Sequence, residues 1–588
     1  MIWGMGLLAA GSVILGIAPQ LAVNALLNPI LGALGLGAGV HVTWFGLSAD
    51  AGSFSTSGGL VLALVSLVLG GAIYAVAYAA RPAASGAALA GAGGGIFTGG
   101  EPLSDQGRLT AGDFSEIFLE HWQSFFRWSN VDRVYLRIWD GLQAVSRGLG
   151  VVVAMLERKA LLFVGPFAVL VFVFVQWIMP APAGAYTGGR PPMPHLLIAA
   201  VGVAASALLA AALVSGAKTK ISLWRVILVV GGLCLGGLLA TNEWLQLGLL
   251  ESAALLTVWC VWLTARTRAA KLLYSAVVGI SVLCAVSSEI LAQPFSANYF
   301  GAANFPWSRA LLITGIVVKL AAVPMLFWLL SLADELPTLV LGLIIAVVDI
   351  TAFGEFYVSG YDLLNVLYPS SFWLWCAALT ALLAALLMIT QRSLKRLLVL
   401  STIEDVGFLL LYFAWASHPA LTPESVNPLL GIYGVFIAAS THALAKALLF
   451  ACLAAPEAAG ELNEPPVSLA SRYPYSAFGF LFGMLAMLGI PPTMGFIGRW
   501  RLYSMALEIG PCPLAIFILS SILALVAYTL ALTRNWWGPP REPPVDSPTE
   551  RNAREPFALK VAIVGVVIVL LAAGIWPHAL QLLVGVKP

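Results

Sequence analysis

Residues 308–331 read SRALLITGIVVKLAAVPMLFWLLS, and the fold turns on this stretch. It is apolar for longer than the about 20 residues a helix needs to cross a hydrocarbon core of roughly 30 Å. The apolar residues run on without alternation, so a barrel strand, polar on one face, does not fit. Yet the run contains Lys319 and, five residues later, Pro324. An ionisable group at that depth costs at least about 2.5–3.5 kcal/mol, so it marks a pathway, a partner or a hydrated cavity. Proline breaks the helix beside it, freeing backbone carbonyls and admitting water where the backbone lines a cavity.

The rest of the chain repeats this pattern. Of 588 residues, 60% are apolar and 10% charged, with mean hydropathy +0.93. A soluble domain carries roughly 25% charge because its surface faces water. The reading is an all-α polytopic membrane protein of about fifteen transmembrane helices, two of them discontinuous. The spans lie near 1–21, 57–79, 162–179, 194–215, 222–241, 245–265, 272–292, 308–331, 337–358, 371–390, 399–417, 427–454, 475–506, 513–533 and 557–577. Residues 1–21 have no basic flank and read as a first membrane helix, not a cleaved leader. The six cysteines are scattered without a CxxC pair, which argues against a metal or cluster site and for small apolar filling. Gly91 to Gly95 lack the Lys-Ser/Thr that a phosphate loop needs.

Lysine and arginine test the count, because they gather in cytoplasmic connections. The connections 80–161, 216–225, 266–271, 391–396, 455–474 and 534–560 hold 23 of the 30. The opposite side holds three: Arg190, Arg309 and Lys587. The N-terminus is therefore expected in the cytoplasm and the C-terminus outside, in a prokaryotic inner membrane. Residues 81–160 form the one sizeable cytoplasmic segment. There Trp122, Phe125, Phe126, Trp128, Tyr135 and Trp139 interleave with charges at helical spacing, as in an amphipathic helix at an interface. Lys319, Lys446, Arg499 and Arg501 remain inside spans, and Arg501 is near enough to an end to snorkel.

The stretch from about 222 to 530 resembles the antiporter-like subunits of respiratory complex I, membrane-bound hydrogenases and multi-subunit cation/proton antiporters. Five regions carry the resemblance. Leu245-Gln-Leu-Gly-Leu-Leu-Glu251 is similar to the family's fifth helix with its acidic residue. Val318-Lys319-Leu-Ala-Ala-Val-Pro324 is similar to the broken seventh. Gln391 to Leu398 and Ser401-Thr-Ile-Glu404-Asp405-Val-Gly407 resemble the start of the tenth, His442-Ala-Leu-Ala-Lys446 the eleventh, and Gly489-Ile-Pro491-Pro492 through Arg499 the broken twelfth. Within the superfamily, Glu404-Asp405 resembles the hydrogenase and formate-hydrogenlyase branch. Residues 1–180 resemble the tail of another antiporter-like subunit.

The resemblance implies proton translocation through Glu251, Lys319, Asp349, His442, Lys446 and Arg499, with Glu404, Asp405, Pro324 and Pro491 as accessories. Lysine suits such a relay, since desolvation favours its neutral form and a nearby carboxylate its charged form. Three positions depart from the family pattern. Asp349 stands where the eighth helix carries lysine, Met325-Leu326 where histidine follows the proline, and Arg499 where the exit lysine lies. Arginine keeps its proton through any ordinary cycle, so it would gate or hold an anion. The changes leave either a working channel or a degenerate conduit.

The divisions expected are 1–80 N-terminal helices, 81–160 cytoplasmic segment, 161–215 connecting helices, 216–533 translocation core and 534–588 basic loop with a last helix. The chain carries no redox ligand set, so cofactors are expected in partner subunits: iron–sulfur and, for a hydrogenase, nickel–iron centres. The partners implied are further membrane subunits, including other antiporter-like ones, peripheral redox subunits, the lipid bilayer and protons; nucleic acid is not among them. Three alternatives stay open: a sodium/proton antiporter component using Glu251, Asp349 and Glu355, a membrane subunit of inorganic-carbon uptake, and a non-conducting scaffold.

Overall fold

The computed structural model describes residues 131–160, 195–214, 222–292, 305–354, 370–418, 428–463, 468–538 and 555–576, three short strands between 40 and 55, and a few isolated positions. The expected spans 1–21 and 57–79, most of 162–179 and the aromatics Trp122 to Trp128 lie outside the described residues. The chain divides into two compact units, 1–25 with 39–144 and 26–38 with 145–588.

In the first unit the strands Val40–Thr43, Gly46–Ala49 and Gly52–Ser55 form an antiparallel meander in chain order, with Val40 opposite Ala49 and Gly46 opposite Ser55. Its two links are two residues long, the tightest connection antiparallel strands allow. This small sheet is an addition to the helical fold expected. The alternation in VHVT and GLSA is too brief to stand out among apolar runs. Helix α1 (Val131–Arg158) begins in this unit and continues into the second.

The second unit is helical wherever it is described. It comprises α2 (His195–Val214), α3 (Leu223–Leu239), α4 (Glu243–Thr264), α5 (Arg268–Ala292), α6 (Phe305–Lys319) and α7 (Phe327–Ala333). Then come α8 (Thr338–Leu343), α9 (Ser370–Met388), α10 (Leu394–Ala416), α11 (Pro428–Ala458), α12 (Pro474–Met487), α13 (Met494–Ile509), α14 (Pro511–Ala531) and α15 (Phe557–Ile575). Among the described residues, eight helices are long and apolar enough to cross a membrane and four shorter ones are apolar. Every expected span from 194–215 onward coincides with a described helix or helix pair.

The two expected breaks are present. The first separates α6 from α7 at Leu320–Leu326, and the second separates α12 from α13 at Leu488–Thr493. A break must satisfy the backbone groups it frees. In the first, α9 does this: Val323 N donates to Thr380 Oγ1 at 3.0 Å, and the Cys376 thiol reaches Val323 O at 3.7 Å. In the second, Gly489 takes φ +66°, a conformation that disfavours side chains. A third irregularity, a π-helical turn, runs Ile344–Asp349 directly after α8. Such turns occur mostly at functional sites, because they re-aim side chains.

α10 and α11 form the centre, with nearly every residue of their apolar spans buried. α10 lies against α9 so closely that a β-carbon at Gly407 would come 2.6 Å from Ala381 N and 2.7 Å from Ala377 O. Gly407→Ala is therefore expected to destabilise by about 1–3 kcal/mol, the range for overpacking. Lowered thermal stability of the purified protein measures it.

One end of the bundle is tied by charge. Arg396 holds Glu157 of α1 at 2.7 and 3.2 Å and Asp334 at 3.1 Å. Lys395 donates to Leu336 O at 2.9 Å and Glu457 at 2.8 Å, and Glu335 accepts from Thr267 N at 2.9 Å. The basic connections 266–271, 391–396 and 455–474 thus meet at one end, as the charge segregation requires. At the other end Arg501 pairs with Glu508 at 3.0 Å, and Trp415 Nε1 donates to the same carboxylate at 2.5 Å. Arg501 is buried, so the snorkelling expected of it is replaced by pairing within the protein. The sequence distance from Arg501 to Glu508, two turns of one helix, could have suggested it.

A candidate ion-translocation site

The buried ionisable residues fall into two clusters, each beside a helix break. In the first, α4 is capped by Asn242, whose side chain accepts from Leu245 N at 3.0 Å, and carries Glu251 two turns in. Lys319 is the last residue of α6. There the helix dipole is negative, so a cation is favoured. Lys319 Nζ reaches Glu251 Oε1 at 3.1 Å, with each side chain only 7% exposed. Glu251 Oε2 has no hydrogen-bond partner among the described residues. The break is pinned next to the lysine, because Trp328 Nε1 donates to Val318 O at 2.8 Å.

Asp349 closes the π-helical turn, is buried, and lies within electrostatic reach of Lys319 and Tyr274. Tyr274 is itself buried and hydrogen-bonds Thr257 at 2.8 Å. Two residues on from Asp349, Thr351 donates to Val348 O at 2.7 Å and approaches Cys234 Sγ at 3.7 Å. The first cluster thus brings Glu251, Lys319 and Asp349 together as expected.

The second cluster is built on one face of α10. Leu398, Ser401, Glu404 with Asp405, and Phe408 recur every three or four residues, the spacing that stacks side chains on one side of a helix. His442 and Lys446, four apart on α11, face them. His442 Nδ1 and Asp405 Oδ2 are 2.7 Å apart. Lys446, fully buried, donates to Leu398 O at 2.9 Å and to Ser401 Oγ. Tyr528 of α14 donates to the same serine oxygen at 2.7 Å.

Arg499 of α13 completes this cluster. Its Nη2 lies 3.3 Å from Glu404, 3.4 Å from Asp405 and 2.8 Å from Met487 O, the carbonyl left free where α12 ends. Its guanidinium carbon sits 3.7 Å over the Phe408 ring, a cation–π contact. Arg499 Nη1 has no hydrogen-bond partner among the described residues. A cavity of about 10 Å³ lined by Asp405, Thr441 and Arg499 adjoins the guanidinium, and one water fits such a space.

Glu404 and Asp405, read as accessories, are therefore the principal partners of Arg499 and His442. Pro324 and Pro491 sit inside the breaks, and among the described residues no hydrogen bond joins either of them to an ionisable group. No hydrogen bond or ion pair joins the two clusters among the described residues. The π-helical turn bearing Asp349 nevertheless packs against α11, the helix of Lys446. Two residues went unforeseen, Tyr528 and Ser401. The only signal in the sequence was a hydroxyl one turn before Glu404 on the same face.

Comparison with known proteins follows the same lines. Residues 263–524 match the family described as NADH:quinone oxidoreductase/Mrp antiporter, transmembrane. NADH-quinone oxidoreductase subunit N 3 of Streptomyces griseus is 30% identical over 270 residues, covering 44% of this chain and 46% of that protein. Hydrogenase-4 component B of Escherichia coli is 29% identical over 221 residues, covering 35% and 33%. The matched stretch spans about half or less of these curated relatives. The Mrp complex from Dietzia sp. superposes with TM-score 0.57 at 18% identity, covering 76% of this chain and 95% of that one. The membrane-bound sulfane sulfur reductase, an archaeal respiratory membrane complex, gives 0.52 at 17%, again covering 76% and 95%. At these identities the likeness is one of fold. Residues 263–524 are thus similar to the transmembrane family of NADH:quinone oxidoreductases and Mrp antiporters, and part of the chain is similar to a hydrogenase-4 component as well.

Proposed function

We propose that this chain is a proton-translocating subunit of a multi-subunit, redox-driven membrane complex, working in a prokaryotic inner membrane with its N-terminus cytoplasmic. The observation that carries the reading is the Lys319–Glu251 pair, buried at the end of an interrupted helix with Asp349 beside it. Moving a proton through a low-dielectric interior needs titratable groups in reach of one another, and separating such a pair changes the lysine's hold on its proton. Lys319 exchanges protons with Asp349, water links Asp349 with Lys446, and the Asp405–His442 pair exchanges protons with Lys446. Arg499 stays charged and keeps Glu404 and Asp405 from being neutralised together.

The translocation core is 216–533, and the redox centres, iron–sulfur and in a hydrogenase nickel–iron, belong to partner subunits. The relatives carry names from both NADH–quinone oxidoreductases and hydrogenase-4 at 30% and 29% identity, so identity alone does not separate those branches. One observation favours a second reading, a non-conducting scaffold: among the described residues, no polar contact joins the two clusters. Both readings are tested in liposomes holding the complex that copurifies with this chain, by proton uptake under a potassium diffusion potential with and without sodium. A relay requires uptake that Lys319→Met abolishes, and a sodium path requires dependence on sodium. A scaffold leaves uptake unchanged in Lys319→Met with the complex intact.

A further inference from the structure

Hydrogen bonds around Leu398 O do not balance. Besides the α-helical bond from Thr402 N, this carbonyl is approached by Ser401 Oγ at 2.9 Å, Thr402 Oγ1 at 2.9 Å and Lys446 Nζ at 2.9 Å. A carbonyl oxygen offers two lone pairs, so the approaching donors cannot all be held at once. Ser401 is the donor with somewhere else to turn. Its oxygen already meets Lys446 Nζ on one side and the Tyr528 hydroxyl on the other. Tyr528 is 1% exposed, Ser401 1% and Lys446 0%, so no bulk solvent competes for these bonds.

We propose that Tyr528 and Ser401 form the proton inlet of Lys446; the proposal rests on the relay reading above. Two hydrogen-bond patterns fit these atoms. With Lys446 charged, the ammonium donates to Ser401 and Ser401 donates to Leu398 O. With Lys446 neutral, its nitrogen becomes an acceptor and Ser401 turns to donate to it, while Tyr528 donates to Ser401. That second pattern is an unbroken O–H···O–H···N line.

A hydronium ion arriving from the aqueous side gives its proton to the Tyr528 oxygen and leaves as water. The tyrosine's own proton passes to Ser401 Oγ, and the serine's own proton to Lys446 Nζ. At each hydroxyl one O–H bond forms and one breaks, so both end neutral and the lysine carries the charge. Ser401 then turns back to Leu398 O, which resets the line.

The position suits an inlet. Leu398 is four residues from the start of α10, about 6 Å at 1.5 Å per residue, and Lys395 there meets Glu457 at the charged end of the bundle. Tyr528 lies three residues before the end of α14, which runs into the π-helical turn Leu532–Trp536 with Thr533 and Arg534 exposed. That turn packs near Leu469–Arg472, at the same end as Glu457. The Phe480 ring lies beside Tyr528, with centroids 6.5 Å apart, and Trp536 packs on Phe480 at 5.2 Å.

The test uses the liposome assay above, with the tagged complex intact. Ser401→Ala and Tyr528→Phe are each expected to slow proton uptake by roughly 10²-fold, the low end for removing a proton-transfer group. Ser401→Thr, which keeps the hydroxyl, is expected to stay within about twofold; a merely structural serine would not make that distinction. If Ser401→Ala fails to assemble, Tyr528→Phe decides, since it removes one oxygen and keeps the ring. Uptake at the parent rate in Tyr528→Phe, with Lys446→Met inactive, overturns the inlet and leaves the relay standing. Unchanged uptake in Lys446→Met overturns both.

Discussion

Replacing Arg499 by methionine is expected to be the most damaging single substitution in the second cluster, costing about 3–5 kcal/mol, the range for removing one partner of a buried ion pair. The reason lies in adjacency. Glu404 and Asp405 are neighbours in sequence, both buried, and the same guanidinium nitrogen approaches each within 3.4 Å. Without it Asp405 keeps His442, but the buried Glu404 carboxylate has no ion-pair partner among the described residues. Met487 O and the Phe408 face lose their partner too. Thermal unfolding of the detergent-purified protein measures the loss. Arg499→Lys is expected to recover only part, because a single ammonium lacks the guanidinium's planar reach to several acceptors. Adding Glu404→Gln to Arg499→Met should return much of the stability, since it removes the orphaned charge. Additive effects of these two changes would contradict the pairing.

The second large effect concerns Lys319 and Glu251, where stability and transport can be separated. Lys319→Met alone strands the Glu251 carboxylate and is expected to destabilise by about 3–5 kcal/mol. Lys319→Met with Glu251→Gln replaces the charged pair by neutral side chains of similar size, a change that is often close to neutral for folding. The double variant should therefore assemble nearly as well as the parent and yet lose proton uptake by roughly 10²-fold or more. Assembly is read from the yield of the copurifying complex and uptake from the liposome assay. A double variant that assembles and translocates at the parent rate would remove this pair from the pathway.

Much of this was legible in the residues themselves. Pro324 beside Lys319 announced a broken helix with a buried cation, because a proline and a charge inside one apolar run are both costly in an unbroken, lipid-facing helix. Glu251 and Lys319 form a buried pair with Asp349 in electrostatic reach of the lysine, and the second break falls at Pro491-Pro492. What could not be read was partnership between distant helices. The spacing of Ser401, Glu404, Asp405 and Phe408 fixes that they share a face, and says nothing of which side chains face them. Arg499 therefore read as a fixed charge at the exit that gates a path or holds an anion, and the two acidic residues as accessories. The pairing of Arg501 with Glu508 was hidden because a charge near a helix end also suits an interface. Tyr528 was hidden more deeply: one hydroxyl on a fourteenth helix gives no periodic signal, and only its 2.7 Å contact with Ser401 reveals it. The role of Gly407 belongs to the same class, since the close approach of α9 exists only in three dimensions.

The space between Asp349 and Lys446 is where the proton path is most exposed to test, for the two clusters share no direct polar contact among the described residues. An experimental map of the complex, at a resolution where ordered waters are seen, tests it most directly. A proton path predicts a file of hydrogen-bonded waters leading from Asp349 past the π-helical turn to the Lys446 ammonium. Close-packed apolar side chains filling that gap, with no water density, would contradict it.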